Sequence, residues 1–73
     1  MDPHERLREL ERLGEAHYDA MYETRSPMGE YADAKDAFTE AIALARQLGE
    51  SDIEKRLEAR LAHIKAVYRS QFT

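Results

Sequence analysis

Pro3, Gly14, Pro27, Gly29 and Gly49 are the only prolines and glycines in a chain of 73 residues. So little punctuation leaves three long uninterrupted stretches, and turn-rich β architectures are ruled out from the start. Asp2-Pro3-His4-Glu5 sets a cap acceptor, a proline at the first helical position and a glutamate three residues after the cap, the pattern of a helix start. Thr24 to Gly29 is the one loop candidate, because proline removes a backbone donor and disfavours helical geometry in the residue before it. Leu48-Gly49 reads as a helix end with a left-handed residue after it, and Ser51-Asp52-Ile53-Glu54 as a second capping box. The expected elements are helices over about 3–24, 27–48 and 52–72.

At about 100° per residue, each stretch gathers its apolar side chains on one face. The first carries Leu7, Leu10, Leu13, Gly14, His17, Ala20 and Met21, with Tyr18 at the edge. The second carries Tyr31, Ala34, Ala37, Phe38, Ala41, Ile42, Leu44, Ala45 and Leu48, and the third Ile53, Leu57, Leu61, Ile64, Val67, Tyr68 and Phe72. None alternates with the period of two that a half-buried strand needs, so the fold class is all-α, in a single domain over 1–73. Small residues on the second helix allow a neighbouring backbone to approach closely. Short connections make consecutive helices antiparallel, with the second helix central.

The chain has no cysteine, so disulfides and thiolate metal sites are excluded. One small core supplies only about 3–5 kcal/mol, and close helix packing or association must make up the rest. A net charge of −4 gives no footprint for general phosphate binding, and nucleic acid is not an expected partner. No apolar run is long enough to span a bilayer and no basic-then-apolar leader opens the chain, which makes the cytoplasm the expected compartment and a membrane role unexpected.

Gly29-Glu30-Tyr31, then Ala34, Phe38 four residues later, and Ala41, resemble the second helix of a tetratricopeptide repeat. Leu10, Leu13, Gly14 and His17 have the spacing of that family's Trp, Leu, Gly and Tyr on the first helix, although Leu13 stands eight residues too far from Ala34 for the usual register. In register instead are Tyr18, Met21 and Tyr22, with Tyr22 where the family has glycine. The resemblance is to one degenerate unit, a helical hairpin followed by a third helix. Residues 56–72 are also similar in character to segments of small bacterial proteins. What the resemblance implies is a protein-binding scaffold. Arrays of this kind use about three repeats to close a core, so one and a half imply association, with a homodimer the first expectation. Any tight three-helix bundle with small residues on one face offers the competing explanation.

No residue constellation points to catalysis, and no cofactor is expected. His4, His17 and His63 each lack a second ligand three or four residues away on the same helical face, so no metal site is expected. His17 reads as a hydrogen-bonded core histidine, and His4 and His63 as solvated. Ser26, Ser51 and Ser70 suit caps or helix ends, paired carboxylates lie on charged faces, and isolated glycines cannot cradle a phosphate. Charge is uneven: Glu30, Asp33, Asp36 and Glu40 crowd the second helix, while Arg60, Lys65 and Arg69 close the chain without an acid. These two segments could attract each other or meet in a dimer. Arg60 falls on the apolar face and must snorkel, pair with an acid of another helix, or meet a partner. Tyr18, Met21 and Tyr22 form either an interaction edge or a widened core, and Phe72 must dock on Met28 or on a second chain. The expected interaction residues are Tyr18, Met21, Tyr22, Arg60, Tyr68 and Phe72. The expected function is a non-catalytic protein-interaction module. The alternative is a small regulator whose basic last helix contacts nucleic acid or a nucleic-acid-binding protein.

Overall fold

The computed structural model describes residues 1–73 and contains three helices, α1 (Pro3–Ala20), α2 (Pro27–Gln47) and α3 (Ser51–Gln71). Two of the expected spans agree to within a residue at each end. The first stops four residues short of position 24, because the i→i−4 pattern gives way after Ala20. The Met21 amide is shared between the carbonyls of His17 and Tyr18, and Tyr22 and Glu23 donate only three residues back, to Asp19 and Ala20. That tightening is a common way to close a helix C-terminus.

Both capping boxes fail to form. Asp2 is the N-cap of α1 and its carbonyl accepts the Arg6 amide at 2.9 Å, but its side chain makes no capping bond. Asp2 and Glu5 are exposed, where water competes for the same amides. At α3 the cause is geometric. Gly49, at φ 72°, bends the chain, its amide donates to Arg46, and the Glu50 amide reaches back to the Ala45 carbonyl at 2.9 Å. This is the 6→1 and 5→2 pairing that closes a helix end around a left-handed residue. The Glu50 carbonyl then accepts from Glu54, so Glu50 is the last residue of one motif and the N-cap of the next. Ser51 is pushed inside the helix, where it cannot cap.

Alternating directions are recorded in the side-chain pairs. Arg6 meets Glu40 and His17 meets Glu30, as antiparallel α1 and α2 require, whereas Glu11 meets Arg56 and Glu15 meets Arg60, as parallel α1 and α3 require. The expected central place of α2 is observed: α1 and α3 both pack on it and scarcely approach each other's backbones. Ala34, Phe38, Ala41 and Ala45 are fully buried on α2. Opposite Phe38 stands Gly14, where a Cβ would lie 2.6 Å from the phenyl ring. Leu7, Leu10 and Met21 close the core from one side and Leu57, Leu61 and Ile64 from the other, with no polar side chain buried. The Cα atoms span 36 × 22 × 12 Å, so the three helices make a shallow slab. No helix is long and apolar enough to cross a membrane.

Candidate functional site

The end of the slab where α1 finishes, α2 begins and α3 finishes holds five of the six aromatic residues in one chain of contacts. Tyr31 and Tyr68 stack with centroids 3.9 Å apart and planes 2° from parallel. Tyr68 stacks at 6.0 Å on Phe72, Phe72 meets Tyr22 edge-on at 5.3 Å, and Tyr22 meets Tyr18 edge-on at 5.6 Å. The two tyrosines on α1's exit and the Tyr68–Phe72 pair on α3 are each four residues apart, so helical spacing aligns each pair before the helices meet. Cations close both ends of the series: Lys35 lies 5.1 Å from the Tyr31 centroid and Arg60 5.0 Å from that of Tyr18. Offset and edge-on ring pairs contribute about 0.5–1.5 kcal/mol each beyond area burial, so the series fastens three helix ends together.

The expected interaction residues divide sharply by exposure. Met21, at 1% exposed, belongs to the core and cannot serve as a contact edge. The Tyr18 ring is also buried, at 8%, which corrects its place on that edge. Its hydroxyl shares a hydrogen bond with that of Tyr22 at 3.1 Å. The large apolar side chains offered to solvent are Met1 at the opposite end and, at this end, Tyr22, at 52%, and Met28, at 69%. Tyr68 and Phe72 are half-buried. Phe72 docks on Tyr22 and Tyr68 within the chain.

Arg60 takes the second of its three options. It donates two hydrogen bonds of 2.7 Å to Glu15, while one turn away Arg56 donates two, of 2.6 and 2.9 Å, to Glu11. These planar two-point pairs span α1 and α3 where the backbones stay apart. Hydrogen bonding from Arg56 lowers the Glu11 carboxyl below its ordinary range against the opposing effect of burial, and the glutamates hold both guanidiniums more firmly protonated. Attraction between the acids of α2 and the bases of α3 does not organise the fold. Lys65, Arg69, Asp33 and Asp36 make no ion pairs, and Glu30 and Glu40 pair with α1.

The Tyr18 phenol is pushed up to about 12, chiefly by its hydrogen bond with Tyr22 and then by burial. A raised pKa in the folded state means stabilisation that is complete below the unfolded value near 10 and disappears as pH rises through about 12. The melting temperature should therefore fall across that window. Tyrosinate absorbance should show a component titrating near the top of it that is missing in Tyr18→Phe; an identical titration in the variant would contradict this assignment.

His17 lies at the rim, with about a third of its side chain exposed, and not at the centre of the core. Its Nδ1 is 2.7 Å from Oε2 of Glu30. Asp33, one turn further along α2, brings a third donor, and the three ligand-type atoms lie within 4.8 Å of one another. His17 has no such neighbour on its own helix; both come from α2, which single-helix spacing could not reveal. His63 is exposed with its ring edge-on to Tyr18 at 6.4 Å, and His4 is 3.4 Å from Glu50. Ser70 donates to the Val67 carbonyl of its own helix. Between α2 and α3 runs an open groove of about 420 Å³ with Ile42, Ala43, Leu61 and Ala62 among its lining residues. Compared with protein families, with curated proteins and with solved structures, the chain has no significant match.

Proposed function

We propose that this chain acts by protein association, as a tetratricopeptide-like helical unit that pairs with a second copy through its aromatic end and carries out no catalysis. The observation that carries the reading is the exposure of Tyr22, whose ring meets half-buried Phe72, and of Met28 in the first turn of α2. Tyrosine and methionine at a small apolar surface are suited to protein contact. The close approach of α1 to α2 at Gly14 and Phe38, on a helix whose buried stripe is otherwise alanine, supports the repeat-like hairpin. The absence of cysteine supports a reducing, cytoplasmic setting. The alternative through α3 is weakened because Arg56 and Arg60 are already engaged by glutamates.

Sedimentation from about 10 to 500 μM should show a concentration-dependent shift from monomer to dimer. Met28→Glu should raise the dissociation constant by at least ~10-fold without changing the melting temperature at concentrations where the chain is monomeric, and added salt should not abolish the association. A monomer throughout, or association that collapses with salt, would overturn the reading in favour of isolated or electrostatic behaviour.

A further inference from the structure

The residues His17, Glu30 and Asp33 join two helices at a point the aromatic series does not use. Elsewhere, the carboxylates that tie helices together are matched by arginine: Glu11 by Arg56, Glu15 by Arg60, Glu40 by Arg6 and Glu54 by Arg46. Glu30 alone is matched by histidine on another helix within 3 Å, and Asp33 stands beside the pair with no hydrogen bond or ion pair of its own. Two acids and one imidazole thus converge without arginine or lysine to balance them. We propose that His17, Glu30 and Asp33 form a divalent transition-metal site, with zinc as the ion it fits.

The geometry needs little adjustment. On a tetrahedral ion with bonds of about 2.1 Å, neighbouring ligand atoms stand about 3.4 Å apart. The Nδ1–Oε2 separation of 2.7 Å must open slightly, and the 4.8 Å envelope must contract. His17 and Glu30 are partly exposed and Asp33 is exposed, so side-chain rotation is the movement the proposal requires. Glu30 and Asp33 are three residues apart on α2 and face the same way, while His17 comes from the last turn of α1. The ion replaces the hydrogen bond between imidazole and glutamate, with the ring proton on Nε2 and the Nδ1 lone pair on the metal. Two carboxylates balance the charge of a divalent ion. The imidazole nitrogen selects zinc and its neighbours over magnesium or calcium, which take oxygen ligands. Three protein ligands with a fourth position open to solvent complete the coordination, and the bound ion would clip α1 to α2 across the 21–26 connection.

Zinc chloride added to the full chain should bind at one ion per chain in calorimetry and raise the melting temperature progressively, whereas magnesium and calcium at equal concentration should not. Asp33→Asn removes no contact of the metal-free fold and is the deciding variant; together with Glu30→Gln it should weaken binding by at least ~10-fold. His4→Ala, His63→Ala and Met28→Glu should leave binding unchanged, the last separating this site from dimer formation. Ring-nitrogen NMR should identify Nδ1 of His17 as the ligating atom. The proposal is overturned if zinc at about 100 μM does not bind, if Asp33→Asn binds as the parent does, if binding is lost with His4 or His63, or if the His17 ring signals do not move.

Discussion

Replacing Phe38 by alanine is expected to remove cooperative folding at room temperature. Phe38 is fully buried on the helix that both others pack against, and it heads the large side chains with essentially no exposure. Phenylalanine-to-alanine changes in cores cost about 3–5 kcal/mol, the same size as the whole stability a core this small supplies. Only twelve residues are buried, so few neighbours could collapse into the vacated space. Far-UV circular dichroism with urea titration is the measurement. A sigmoidal transition shifted by less than about 1 kcal/mol would mean the core had repacked, contrary to expectation.

Gly14→Ala should destabilise although it places a better helix former in α1. Alanine gains about 1 kcal/mol of helix propensity over glycine, but the new Cβ would stand 2.6, 2.7 and 3.0 Å from three atoms of the Phe38 ring. A ring is not a flexible chain end, and this one is enclosed on every side. Overpacking of this kind costs about 1–3 kcal/mol, and with ring contacts this short the upper part of that range applies, leaving a net loss of up to about 2 kcal/mol and a lower melting temperature. Combining Gly14→Ala with Phe38→Leu should recover part of the loss and expose a coupling between the two positions. Gly29→Ala is the contrast: nothing lies within 4 Å of its Cβ and its φ is not positive, so stability should rise by about 0.4–1 kcal/mol. Equal effects at both glycines would show that propensity, not space, governs them.

These two glycines show where local pattern was enough to read the fold. Periodicity placed Leu7, Leu10, Phe38, Ala41, Leu57 and Ile64 on inner faces, and each is buried. Gly49 announced the end of α2 because a left-handed residue is nearly a glycine property. Ser51 misled, since its role as a cap depended on which residue carried the first free carbonyl, and the closing bond of α2 decided that. The candidate site was less legible because its parts are brought together by register between helices. Met21 lies on the inner face that the helical wheel gave it, while Tyr18, at the edge of that face, is covered by Arg60 and His63 of α3. Arg60 could be picked out as a charge on an apolar face, but its partner Glu15, on the polar side of α1, could not be named until α1 and α3 were known to run parallel. His17 looked isolated for the same reason. The register set by Gly14 opposite Phe38 would have brought it near the first turns of α2, where Glu30 and Asp33 wait.

A fold whose Cα atoms span only 12 Å in the thin direction has little depth in which to enclose a ligand. Small-molecule sites gain strength by wrapping most of a ligand's surface; here any visitor keeps one side in water. Affinity must therefore come from breadth of contact, and selectivity from where charges and rings lie along the margin. Such a shape discriminates by outline, as a tile does, and a single substitution on its rim can change what fits beside it while leaving the tile intact.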